Sequence, residues 1–199
     1  FTDTTSTFFP DPNVESTSVD GYAAQDAEAT WALAIDGAGE SASDVGAQFY
    51  NNATFATTYT CARLFALFDT SSIPDTDTIS SAIFSLYFEG GGSADAESTR
   101  MITTTPASNT AIVASDFPNI GSVAQTTDIL NSNMTVNTYV DWTLNATGRG
   151  NISKTGITKF GTRNLLDINR VAPTGDAGRA YRSADYAGTT SDPKLVVTH

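Results

Sequence analysis

Along this chain apolar residues alternate with polar ones far more often than they recur at helical spacing. Val136, Thr138, Val140, Trp142 and Leu144 alternate with Asn137, Tyr139, Asp141 and Thr143, the pattern of a half-buried strand. Over residues 58–68, Tyr59, Cys61, Arg63, Phe65 and Leu67 alternate with Thr60, Ala62, Leu64, Ala66 and Phe68. Both faces turn apolar there, which predicts a central strand covered on both sides. Residues 79–88 place Ala82, Phe84, Leu86 and Phe88 on one face until Gly90-Gly91-Gly92 breaks the run. Shorter strands are predicted at 100–105, 157–162, 165–168, 180–183 and 194–198. Residues 22–35 fit helix or strand by period alone. Gly37, Gly39 and the density of strands elsewhere favour strand. Residues 110–133 read as irregular, with a helical turn near Ser115.

No fixed-period repeat and no break in composition divides the chain. The expected architecture is all-β: one antiparallel two-sheet, jelly-roll-like sandwich over residues 21–199. Its inner face should hold Phe65, Leu67, Phe84, Leu86, Val140, Trp142, Leu144, Leu195 and Val197. An extended arm, residues 1–20, precedes it and carries Phe1, Phe8 and Phe9 ahead of Pro10-Asp11-Pro12, which bars a helix.

Composition supports this reading. The 199 residues include 31 Thr and 19 Ser, and threonine suits a pleated, half-exposed surface. Ten basic residues against 22 acidic ones give a net charge of −12, which repels a nucleic-acid backbone and disfavours an anionic membrane surface. No apolar run approaches the length of a membrane helix. The sequence starts at Phe1 rather than Met, as a processed or truncated chain would. With few lysines and many Thr, Ser and Asn, an extracellular location is expected. Four Asn-x-Ser/Thr sequons, at Asn52, Asn133, Asn145 and Asn151, mark surface turns where glycans would attach in a glycosylating host.

Candidate chemistry is sparse. The only histidine, His199, ends the sequence and the only cysteine, Cys61, sits within a strand, so zinc clusters and an intramolecular disulfide are excluded. A Ser–His pair would depend on a terminal residue prone to fraying. Glycoside hydrolysis needs two carboxylates at defined separation; Glu89, at a strand end before three glycines, is the most site-like acid. No catalytic set is expected. Asp69, Asp75 and Asp77 bracket a tight loop that could hold a structural calcium, or else form Asx-turns. Asp36 and Asp44 flank a second glycine-rich loop. Trp31, Tyr50, Tyr59, Tyr181 and Tyr186 are the aromatics that could stack on sugar rings. Cys61 reads as a small buried hydrophobe.

Three stretches resemble the DNRLRE-type extracellular β-sandwich modules of bacterial and viral surface proteins, although the string that names the family is absent. They are the segment from Arg63-Leu-Phe-Ala-Leu-Phe-Asp69 through Ser71-Ser72-Ile73-Pro74 to Tyr87, the Asp141-Trp142-Thr143 strand with Gly156-Ile-Thr-Lys-Phe-Gly161, and Tyr181 to Thr198. The resemblance implies a jelly-roll sandwich attached to surface proteins, carbohydrate binding in some members, and no catalytic residues. The functional expectation is a non-catalytic extracellular module that assembles with copies of itself, as a filament, appendage or virion decoration; a carbohydrate-binding module is the alternative. An arm presenting Phe1, Phe8 and Phe9 should add to a sheet edge, either a neighbour's or its own.

Overall fold

The computed structural model describes residues 3–92 and 97–199. In chain order the strands are β1 (Thr5–Phe8), β2 (Asp20–Glu28), β3 (Ser41–Ser43), β4 (Gln48–Phe55), β5 (Tyr59–Asp69), β6 (Ser81–Gly91), β7 (Ser98–Thr103), β8 (Ile129–Leu130), β9 (Thr138–Thr143), β10 (Ile157–Asn164), β11 (Arg179–Arg182) and β12 (Lys194–Thr198). Three short helices, α1 (Trp31–Asp36), α2 (Ala146–Gly150) and α3 (Leu165–Asn169), and two 3-10 turns complete it. The all-β class read from the alternation holds, and every strand pair is antiparallel.

All twelve strands belong to one hydrogen-bonded sheet that curls on itself. Strand β4 is the joint: residues 48–51 pair with β11, and residues 52–55 pair with β5. On one side of that joint β6 runs between β9 and the successive strands β12 and β11. On the other side β5 runs between β2 and the successive strands β4 and β10.

The curled sheet encloses a core of Leu64, Ala66 and Phe68 from β5 with Phe84, Leu86, Trp142, Phe160, Tyr181, Leu195 and Val197. Phe84 and Trp142 are register partners with ring centroids 5.8 Å apart. Phe65 and Leu67 are as fully buried, but in a second core on the opposite face of β5, with Val19, Ala23 and Cys61 under Trp31, Ala34, Ile35, Phe117 and Leu166. That corrects their expected place on the inner face: successive strand residues point to opposite sides, and β5 is covered on both.

Of the stretch 22–35 predicted as strand, residues 22–28 are strand β2 and the part from Trp31 is helix α1, while the strand predicted at 165–168 is helix α3. Thr30 caps α1, its hydroxyl accepting from the Leu33 N–H, so that Trp31, Ala34 and Ile35 can lie on the second core. Asn164 caps α3 in the same way through the Leu166 N–H. Strand β6 runs through Gly90 and Gly91, which pair with Ala180 and Arg179, rather than ending before them.

The arm lies on its own chain. β1 pairs with β12 from Thr5 opposite Thr198 to Phe8 opposite Leu195, and Phe8 enters the inner core while Phe9 stays exposed. Backbone bonds between Thr4 and His199 close the ladder. Phe1 lies outside the described residues.

Candidate functional site

On β4, Phe49, Asn51 and Ala53 are buried, Phe49 in the inner core and Ala53 in the second, leaving Gln48, Tyr50, Asn52 and Thr54 on the more exposed face. Tyr50 stands opposite Ala180 on β11, and Ala180 stands opposite Gly90 on β6. A tyrosine therefore borders a floor of one methyl group and one bare glycine. The result is an open groove of about 240 Å³, with Asn52, Thr54 and Asp176 supplying polar groups along it. Gly90 has φ +151°, which strains any L side chain, and the space above its Cα is open. At Gly91 a Cβ would sit 2.2 Å from the Gly178 carbonyl, so the floor stays without side chains. Tyr22 packs edge-on against Tyr50 at 5.4 Å and fixes the ring. Beneath the floor the Arg179 guanidinium donates to the Gly92 and Gly178 carbonyls, and burial lowers its pKa.

A band of cations and aromatic rings flanks this groove. Arg182 lies over Tyr186 at 3.8 Å and over Tyr87 at 4.6 Å, and its Nε is 2.5 Å from Glu89 Oε1. Lys194 sits 3.7 Å above Tyr139, which meets Tyr87 edge to face at 5.3 Å. Gln48 donates to the other Glu89 oxygen. Glu89, the acid singled out from sequence, thus has both oxygens engaged and is tied to its neighbours as a strut. The face thus combines aromatic rings with polar side chains, the groups that stacking and hydrogen bonding require.

The structure also assembles a constellation that sequence reasoning set aside. Ser6 Oγ lies 3.0 Å from His199 Nε2, and His199 Nδ1 lies 2.9 Å from Asp77 Oδ2. This is the hydrogen-bond order of an acyl-transfer triad. Asp77 lines the adjacent cleft of about 370 Å³ with Ile79, Arg149, Ile152 and Lys154, whereas Ser6 and His199 do not line it. The three side chains join β1, the end of β12 and the loop before β6 as a clasp.

The other expected sites fall as follows. Asp69 forms an Asx-turn with Ser71, Asp77 turns to His199, and the backbone carbonyls of Asp75 and Asp77 accept from Lys154. The three acids do not converge, and among the described residues no group of three or more His, Cys, Asp and Glu side chains is arranged to hold a metal. Asp36 pairs with Arg170, and Asp44 accepts from the Ile112 N–H. Trp31 and Tyr181 are buried in the two cores and cannot reach a glycan, which corrects both; Tyr186 is half-buried beneath Arg182, and Tyr59 packs on Trp31 and Phe55. Burial raises the Cys61 thiol well above its usual value, leaving it inert.

Of the sequons, Asn133 is exposed in a 3-10 turn. The Asn145 and Asn151 amides donate to the Ala124 carbonyl and the Gln125 side chain, and Asn52 faces the groove. Of the groove itself, sequence had named only Tyr50, as an aromatic, and Asn52, as a sequon. No helix among the described residues is long and apolar enough to cross a membrane. Compared with known proteins, the chain matches no family model and no curated relative.

Proposed function

We propose that the chain is a non-catalytic extracellular module that binds carbohydrate in the outer-face groove. One observation carries this reading: the side-chain-free floor at Ala180 and Gly90 beside the fixed ring of Tyr50. A sugar ring needs that combination, a flat apolar wall at one side and close backbone approach below, with Asn52, Thr54 and Asp176 placed for hydroxyl groups. The resemblance to extracellular β-sandwich modules points the same way. A glycan array with wild type, Tyr50→Ala and Ala180→Trp tests it. Wild-type binding should fall about tenfold in Tyr50→Ala, equivalent to ~1.4 kcal/mol, and vanish in Ala180→Trp, which fills the groove. Glycan binding that survives both substitutions would sink the proposal.

Assembly with copies of the chain is the second reading, and the edge position of β1 favours it. β1 pairs with β12 alone among the described residues, so its outer backbone groups are open to another strand. Deleting residues 1–11 and measuring mass in solution tests this: loss of an oligomer with the fold intact supports assembly through the arm. An unchanged assembly state removes it.

A further inference from the structure

Three arginines of this chain hold a carboxylate in one and the same way. Arg63, Arg100 and Arg163 each donate Nε and Nη2 to the two oxygens of a single acid, which is Asp167, Asp128 and Asp167 in turn. In each, Nη1 donates instead to a main-chain carbonyl, that of Phe117, Ser122 or Gly121. Arg149, on α2, repeats half of this pattern. Its Nη1 donates to the Leu144 carbonyl at 3.0 Å, but among the described residues its Nε and Nη2 have no partner and it forms no ion pair. Lys154 is held alike: its Nζ donates to the carbonyls of Asp75 and Asp77, and no carboxylate among the described residues pairs with it. Carbonyls fix the position of such groups without cancelling their charge.

Both cations line the cleft of about 370 Å³, with Ile79, Ile152 and Ala146 as apolar wall and Asp77 as the acid among them. That volume lies toward the lower end of small-molecule sites, ~300–1,000 Å³. Asp77 is already engaged by His199 at 2.9 Å. Two cations against one acid leave the lining positive, in a chain whose net charge is −12. We propose that this cleft binds the carboxylate of a small organic acid. Arg149 grips it through Nε and Nη2, as the other three arginines grip Asp167 and Asp128, and Lys154 adds the second positive charge. The body of the acid lies against Ile79 and Ile152. The planar guanidinium fork matches the two oxygens of a carboxylate. A phosphate would bring up to two charges toward the Asp77 carboxylate, where a carboxylate brings one. The site is separate from the groove beside Tyr50, because Ile79 precedes the start of β6 at Ser81 whereas Gly90 and Gly91 end that strand.

The test uses the whole chain, isotope-labelled for NMR and titrated at fixed ionic strength. Sodium glucuronate and sodium butyrate present a carboxylate on a sugar and on an aliphatic body, while glucose and sodium sulfate are the neutral and tetrahedral comparators. At least one of the two acids should shift the amide resonances of residues 146–154 saturably, and the tighter one identifies the body of the ligand. Glucose should leave those resonances in place. Arg149→Gln should weaken the binding about tenfold or more, the value of a charge-assisted hydrogen-bond pair. Arg149→Lys keeps the charge but loses the fork, and should weaken it as well. The control Lys159→Gln removes an equal charge outside the cleft and should bind as wild type does. If Arg149→Gln does not fold, Arg149→Lys decides the matter. No saturable shift with either acid overturns the proposal, as does an equal response to glucose or sulfate. So do shifts confined to Tyr50, Asn52 and Ala180, or binding that survives unchanged in the Arg149 variants.

Discussion

Asp167 and Asp20 are both buried carboxylates close to the central strand β5, and they meet opposite surroundings. Asp167 receives Arg63 through Nε and Nη2, each at 2.8 Å, and Arg163 through both the same atoms at 2.6 Å. Arg63 completes its fork on the carbonyls of Phe117 and Ile35 and stacks on the Phe117 ring at 3.9 Å. Burial pushes the Asp167 pKa up, but the bonds from the two arginines outweigh it and hold the carboxyl below its usual value. Asp20 has no cation, and burial raises its pKa well above the ordinary carboxylate range. One acid is a finished internal joint that ties α1, α3 and the Ala114–Asp116 turn to β5; the other is an unfinished one. A buried carboxyl is therefore held ionised where arginines close on it, and is driven toward its neutral form where burial acts without a cation.

The largest expected effect sits at the finished joint. Asp167→Ala leaves two guanidinium groups without their counter-charge, one of them buried, and should cost ~3–5 kcal/mol in denaturant unfolding. Replacing Arg63, Arg163 and Asp167 together with apolar residues of similar size should recover much of that loss, since no uncompensated charge remains. A loss below ~1 kcal/mol for the single variant, the value of a surface pair, would erase the contrast drawn between the two acids.

A pH series sharpens the same contrast. The Asp192 carboxyl is raised by burial to about 6 from an ordinary 3.8. The folded state therefore holds its proton more tightly than the unfolded chain does. Its stabilising contribution is complete below about pH 4 and is lost as pH rises through about 6. Asp167, held low, contributes in the opposite sense, fully present above its ordinary value and lost on acidification. Asp11 acts like Asp167: partial burial raises it, but bonds from Thr17 and Ser16 bring it to about 2. The protein should accordingly lose stability between pH 4 and 6 and again toward pH 2. Thermal melts across pH measure both.

How much of this was legible in the sequence follows from the range over which each signal acts. The half-buried strand around Trp142 and the central strand β5 were legible, because alternation is a local property and both are long enough to show it. The two helices that read as strand, α1 and α3, are only five or six residues long, shorter than the window over which a helical period declares itself. Their caps, Thr30 and Asn164, were the available clue. The three glycines were read as a strand break, yet two of them belong to the strand. Their part in the groove depends on Gly90 lying beside Ala180, and Ala180 beside Tyr50, a register that no local pattern encodes. Asp20 gave no signal either: a single acid is ordinary until the chain at Ala184 folds onto it.

The smallest effect is expected at the clasp of Ser6, His199 and Asp77. Here the hydrogen bonds close on the chain, as at Asp167, but one end is open to water: the Asp77 side chain is 34% exposed, the His199 ring 5%. Ser6→Ala should cost ~0.5–1.5 kcal/mol, the net value of one hydrogen bond, and the loss should appear as easier exchange of the β1 amides rather than global unfolding. The same variant tests whether the trio is chemistry or structure. A fluorophosphonate probe reacts with an activated serine hydroxyl, and labelling of wild type that disappears in Ser6→Ala would make the trio a nucleophilic site. With the Ser6 hydroxyl half-buried in the β1–β12 ladder, no labelling is expected. The hydroxyl is spent holding the arm against β12, and a cost well above ~1.5 kcal/mol would show that the arm supports the inner core more strongly than one hydrogen bond accounts for.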